Sequence, residues 1–125
     1  MARVAHENNL AIGLKNAIEV LPRVQSVVEF AVNEQCVAEK ECSAYNSFVQ
    51  TKPVFHIEYL AGDDASHTPL QDTTQQCTRY NEGPANNPTP VDITNLSTVI
   101  KNMDLDGWVE FCNKTIAETE LVPED

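Results

Sequence analysis

Glu34 stands between Asn33 and Gln35, directly behind the apolar Phe30-Ala-Val32. Partial loss of water around such a carboxyl raises its pKa into the range where a carboxylic acid donates a proton at mild pH. The competing reading is an ion pair with Lys15 or Lys101 and no proton transfer. Glu58 is a second carboxylate, preceded two residues earlier by His56. Paired carboxylates flanking a glycosidic bond are the working parts of most enzymes that hydrolyse one. The plainer role for Glu58 is to hold a ligand hydroxyl or a lysine in place, and for His56 to be a buried, hydrogen-bonded imidazole. Trp108 reads as core rather than as a sugar platform, because Phe111 and Cys112 follow it at helical spacing.

These side chains share a position as well as a type. Residues 10–16, 29–35, 54–59 and 97–102 each give a short apolar run followed by polar residues, which predicts a strand with its hydrogen-bonding side chains at the C-terminal end. In the third run Val54, His56 and Glu58 share one face while Phe55, Ile57 and Tyr59 share the other. Residues 2–9 read as the last turns of a helix, and Pro22 with Val24, Val27 and Val28 as a short amphipathic one. Ala44, Phe48 and Val49 suggest another helix, and 105–117 a last one carrying Trp108. Residues 60–94 are rich in Asp, Thr, Gln, Asn and Pro and read as irregular, with a short helix around 71–80. Strands alternating with helical segments imply an α/β protein with a parallel sheet. In such folds ligands gather at the strand C-termini, where Lys15, Asn16, Asn33, Glu34, Gln35, Glu58, Lys101 and Asn102 fall.

Composition narrows the partners. In 125 residues, 19 Asp and Glu against 8 Lys and Arg leave a formal charge of -11, which repels nucleic acid and anionic membranes and attracts cations. With 42% apolar residues the chain has enough material for a folded domain, and no apolar run approaches the length of a membrane span. Residues 1–117 read as one domain and 118–125 as an acidic tail. The 4 cysteines, an even number, read as disulfides, and of three pairings Cys36 with Cys42 and Cys77 with Cys112 is preferred. A zinc site is the rival, but C-x-x-C and H-x-x-x-H spacings are absent. Asn95-Leu-Ser97 and Asn113-Lys-Thr115 fit the N-glycosylation sequon. Cysteines and sequons point to an extracellular location, although the opening residues lack the apolar stretch of an export signal.

The motifs Ala11-Ile-Gly-Leu-Lys-Asn16, Phe30-Ala-Val-Asn-Glu-Gln-Cys36, Lys52-Pro-Val-Phe-His-Ile-Glu-Tyr59 and Ser97-Thr-Val-Ile-Lys-Asn102 with Asp104-Leu-Asp-Gly-Trp108, in this order and spacing, resemble glycoside hydrolase family 114. The resemblance covers residues 3–59 and 96–112 and implies a (β/α)8 TIM barrel, secretion, and endo-hydrolysis of α-1,4-linked galactosamine polymer with retention, without a cofactor or metal. By motif, Glu34 corresponds to the family's catalytic glutamate, the general acid/base. Lys15, Asn33, His56, Glu58 and Lys101 fall at substrate-lining positions.

The resemblance is to the C-terminal half of the barrel. A barrel of this type takes about 250 residues, and the family's partner carboxylate, in an Asp-Pro-Asp-Asn type motif, has no counterpart here. About four βα units are expected, with doubtful activity in isolation. Exposed strand edges near Ile12 and near Val99 would then invite self-association. The alternative expectation is a carbohydrate-binding or interaction module without catalysis.

Overall fold

The computed structural model describes residues 1–60, 72–104 and 106–120. Helix α1 (Ala2–Glu7) leads into β1 (Gly13–Lys15), the one-turn helix α2 (Leu21–Val24) and β2 (Phe30–Glu34). Two 3-10 turns, Cys42–Tyr45 and Phe48–Gln50, stand where one helix was expected, and β3 (Val54–Tyr59) follows. The short helix α3 (Thr74–Cys77) precedes a hairpin of β4 (Arg79–Glu82) and β5 (Thr89–Asp92). Then come β6 (Ser97–Lys101), β7 (Trp108–Phe111) and β8 (Ile116–Glu118).

The main sheet runs β1-β2-β3-β6-β7-β8. The pairs β1 with β2, β2 with β3 and β3 with β6 are parallel, as β-crossover-β connections require. The chain then turns back, because β7 pairs antiparallel with β6 and β8 with β7. This corrects the helix expected over 105–117. Asp106 Oδ1 accepts from the Trp108 amide at 2.9 Å and Lys101 Nζ donates to the Trp108 carbonyl at 2.8 Å, fixing a tight return. Trp108 and Glu110 are buried while Phe111 is 39% exposed, a period of two rather than 3.6. A glutamate on the core face hid that alternation. The return also corrects the edge expected near Val99, which pairs with Phe111; among the described residues the sheet ends at β1 and β8.

The expected irregularity of 60–94 holds only in part. Residues 61–71, with the start of the expected helix, lie outside the described residues, but α3 and the β4–β5 hairpin order the remainder. Tyr80 and Glu82 of the hairpin dock on the first 3-10 turn. The Tyr80 hydroxyl accepts from the Cys42 amide at 2.8 Å, and Glu82 accepts from the Ser43 amide at 2.9 Å and its hydroxyl at 2.6 Å. Burial and the neighbouring Glu82 push the Tyr80 hydroxyl pKa far up, so it stays a proton donor to Glu82. Glu118, assigned to the tail, is the last residue of β8, and 121–125 lie outside the described residues.

Parallel register decides which side chains share a face. Asn33 pairs with His56 and His56 with Thr98 on one face; Glu34 pairs with Ile57 and Ile57 with Val99 on the other. The first face is covered. Ala31 and Val54 meet Leu21 of α2, Val28 of the segment after it, and Tyr45 and Phe48 of the 3-10 turns, and Ile100 and Trp108 meet Leu60 and Cys77. Lys52 closes the region after α2 by donating to the Gln25 and Val28 carbonyls, satisfying groups a helix end leaves open. The second face is open and apolar along its length: Phe30, Val32, Phe55, Ile57, Val99, Val109 and Phe111. Phe55 is 46% exposed there, its ring edge-on to Phe30 with centroids 5.9 Å apart.

Both preferred disulfides are present, Cys36–Cys42 and Cys77–Cys112. On the loop-closure model the first adds about 2 kcal/mol and the second about 4 kcal/mol. The second ties α3 to the end of β7, across a sequence separation of 35.

Candidate functional site

At the C-terminal ends of β1, β2 and β3 three side chains converge on the open face. Lys15 Nζ donates to Glu34 Oε2 at 2.8 Å, and the Tyr59 hydroxyl donates to Glu34 Oε1 at 3.1 Å. Each carboxylate oxygen therefore has one donor from a neighbouring strand. Asn16 adds a support from below: its Oδ1 accepts from the Glu34 amide at 2.9 Å, and its own amide bonds to the Val32 carbonyl at 2.8 Å. Asn16 and Gln35, the residues after β1 and β2, hold positive φ angles of 51° and 65°. Left-handed backbone costs a non-glycine residue about 1 kcal/mol, and here it turns the chain sharply away at the strand mouths, leaving the Glu34 carboxyl half-buried.

The electrostatics favour the ion-pair reading of Glu34 over a raised pKa. The Lys15 ammonium bonded to Glu34 holds its carboxyl below the usual carboxylate range, aided by Tyr59 and Asn16, and the opposing effect of burial is smaller. Glu34 is thus an ionised acceptor in an ion pair with Lys15. Burial and the adjacent Glu34 carboxylate push the Tyr59 hydroxyl the other way, up, keeping it a donor.

Lys101, also on the open face, points its ammonium elsewhere, donating to the Asp106 and Trp108 carbonyls at 2.9 and 2.8 Å. It braces the β6–β7 turn. Asn33, His56 and Glu58 lie on the covered face, contrary to their expected lining positions. Asn33 is fully buried, donating to the Tyr45 hydroxyl at 3.3 Å and accepting from the Cys36 amide at 2.9 Å. His56 is also fully buried, with Nδ1 2.9 Å from Thr98 Oγ1 and Nε2 2.8 Å from Glu58 Oε1. The same Glu58 oxygen accepts from the Val37 amide at 2.8 Å. Glu58 and Thr98 thus give both imidazole nitrogens a partner. This chain fixes the loop after β2, which carries Gln35 and the Cys36–Cys42 bridge. Glu58 does border a cavity of about 470 Å³, lined also by Gln35, Tyr59, Leu60, Gln76 and Met103.

His56, Cys36 and Cys42 have potential ligand atoms within 4.8 Å of one another. The two sulfurs are bonded to each other and both imidazole nitrogens have partners, so in this oxidised form the group has no thiolate for a metal. Trp108 is core, at 4% exposure.

Sequence reading placed Asn16 at the strand mouths but missed Tyr59 as a member of the site. The signal for Tyr59 was available: the alternation of β3 put it opposite Glu58, and the register puts Glu34 on that same side.

The model of glycoside-hydrolase family GH114 matches residues 1–117. Among solved structures, the crystal structure of Aspergillus fumigatus Ega3 in complex with galactosamine matches with a TM-score of 0.70 and 40% sequence identity. The match covers 89% of this chain and 41% of that one. Nothing matches among curated proteins. The mixed α/β architecture with its mostly parallel sheet is thus that of a GH114 structure over less than half of the latter's length. With a family model spanning nearly the whole sequence and a structural relative at this identity, the chain belongs to glycoside-hydrolase family GH114.

Proposed function

We propose that this chain is the Glu34-bearing portion of a glycoside hydrolase that cleaves α-1,4-galactosaminidic linkages in a cationic polysaccharide, built as part of a (β/α)8 barrel whose interior is the open sheet face. One observation carries the reading: Glu34, on that face at the strand mouths, is held by donors from the flanking strands β1 and β3. The 40% identity to a structure solved with galactosamine supports the substrate class. A net charge of -11 suits a polymer of ammonium-bearing sugars.

In this reading Glu34 protonates the leaving glycosidic oxygen and then activates water, opposite a nucleophilic aspartate from polypeptide outside this sequence. Ion pairing with Lys15 keeps Glu34 ionised, so the acid form requires a change at the site. A second carboxylate placed nearby supplies it twice over: it repels the Glu34 charge and competes for Lys15, and both effects raise the Glu34 pKa. Lys15 and Tyr59 orient the carboxyl and contact sugar hydroxyls, and Asn33, His56, Glu58 and Lys101 support the loops that frame the groove. The two disulfides and the family support a location outside the cell.

The second reading, a carbohydrate-binding module, is favoured by that same ion pair, since an ionised Glu34 accepts hydrogen bonds from ammonium groups without transferring a proton. One experiment separates the two. The purified chain is incubated with de-N-acetylated galactosamine polymer, alone and with a polypeptide carrying the remaining strands of the family's barrel. Oligosaccharide release abolished by Glu34→Gln supports hydrolysis. Release unchanged by Glu34→Gln removes Glu34 from the mechanism, and binding with no release in either mixture favours the module.

A further inference from the structure

From the turn between β7 and β8 we infer a modification site: Asn113 carries an N-linked glycan. Asn113-Lys-Thr115 has the required side chains, and here the tripeptide is already shaped. Asn113 Oδ1 accepts from the Thr115 amide at 3.0 Å and from the Thr115 hydroxyl at 2.6 Å. Lys114 sits between them at a φ of 69°. This is an Asx turn. It commits the carboxamide oxygen to two donors and turns the Nδ2 group outward, and all three residues are exposed.

The turn is local. The Asx bonds lie within residues 113–115, and the β7–β8 hairpin holds the same turn through the Phe111 amide on the Thr115 carbonyl at 2.9 Å and Lys114 Nζ 3.6 Å from Glu110. The other sequon lacks this geometry. Ser97 is already the first residue of β6, in register with Phe55, and Asn95 lines a cavity with Ser43 and Glu82. Asn113 is therefore the preferred acceptor.

In the transfer, Asn113 Nδ2 attacks the anomeric carbon of a lipid-pyrophosphate-linked oligosaccharide. A carbon–nitrogen bond forms, the bond from the anomeric carbon to the pyrophosphate oxygen breaks, one Nδ2 proton passes to a base, and lipid pyrophosphate leaves. Nothing is oxidised or reduced. The glycan projects from the hairpin beside β8, whose residues are all exposed at the end of the sheet among the described residues.

The inference rests on the extracellular reading, and its test separates the two. The full chain is expressed behind a secretion leader in a eukaryotic host, and non-reduced peptides are mapped by mass spectrometry before and after peptide-N-glycosidase treatment in heavy-oxygen water. Glycan loss with conversion of Asn113 to a heavy-oxygen-labelled aspartate is the expected result. Asn113→Gln and Thr115→Ala should abolish it, Thr115→Ser should lower its occupancy, and Asn95→Gln should leave it unchanged. A Cys77–Cys112 peptide without modification at Asn113 overturns the site while leaving the extracellular reading intact. Absence of both the disulfide and the glycan overturns the two together.

Discussion

Lys15 and Glu34, 19 residues apart in sequence and on adjacent parallel strands, form the ion pair that sets the charge of the candidate site, with Nζ 2.8 Å from Oε2. Lys15 is 59% exposed and Glu34 26%, so the pair contributes at most about 1 kcal/mol to stability. Its consequence lies in protonation. Lys15→Met should raise the Glu34 pKa, followed by carboxyl-carbon NMR titration, with little change in melting temperature. Tyr59→Phe should raise it less, because its bond is a smaller cause than the Lys15 bond. An unmoved Glu34 titration in Lys15→Met would remove Lys15 as the cause.

The same direction of shift recurs outside the site and predicts acid sensitivity. Glu82, despite burial that opposes it, is held below its ordinary 4.5 by Ser43 and Tyr80. Asp72 and Asp92 are lowered from 3.8 by the hydroxyl and amide of Thr74 and Thr94. A group with a lowered folded-state pKa stabilises the fold fully above its unfolded value and loses that contribution as pH falls through the folded value. Thermal melts should therefore be flat above a pH of about 5 and fall steadily below 4.5. Glu82→Gln, which keeps the shape but removes the titration, should flatten the low-pH limb. An unchanged limb would place the sensitivity elsewhere.

The parallel strands were the most legible part of the sequence, because the apolar residues of β1, β2 and β6 end in polar ones and β3 alternates the two. The prediction for 54–59 matches β3 at both ends, and His56 and Glu58 do share a face. Which face was not legible. Alternation says that two side chains agree, while only the inter-strand register and the covering segments say which side is open. That is why Asn33, His56 and Glu58 were expected to line the groove and instead support it. The charge state of Glu34 stayed open between a raised pKa and an ion pair for a related reason: its desolvation follows from neighbours in sequence, but its compensation by Lys15 and Tyr59 comes from other strands. The β7–β8 hairpin was hidden by Glu110, a charged residue on a core face where a simple alternation requires an apolar one.

Support of the groove through His56 is itself testable. Glu58→Ala leaves the Val37 amide and His56 Nε2 without their shared acceptor in a buried place, at a cost of about 3 kcal/mol. Thr98→Val removes the hydroxyl partner of Nδ1 and should cost about 2 kcal/mol. Because both act on one imidazole, the double variant should lose less than the sum, by a coupling of about 1 kcal/mol in denaturant melts. Strict additivity would mean that the contacts do not form a connected unit.

Two glycines give a matched comparison of what a single methyl group meets. A Cβ on Gly107 would lie 1.9 Å from the Thr119 carbonyl oxygen, and Thr119 in turn donates its amide to the Gly107 carbonyl at 3.0 Å. The obstacle is backbone, paired to the residue being changed, so it cannot withdraw without opening the β7–β8 ladder. A Cβ on Gly13 would lie 2.2 Å from a carbon of the Phe30 ring, a clash with a movable group. Phe30 faces the open side, and rotation of its ring gives up the contact with Phe55 but no hydrogen bond. Gly107→Ala should therefore cost about 3 kcal/mol and Gly13→Ala about 1 kcal/mol. Amide hydrogen exchange should locate the difference, with protection lost over Ile116–Glu118 in the first variant and retained in the second. Equal costs with protection intact in both would show that β8 is not held by its pairing to β7.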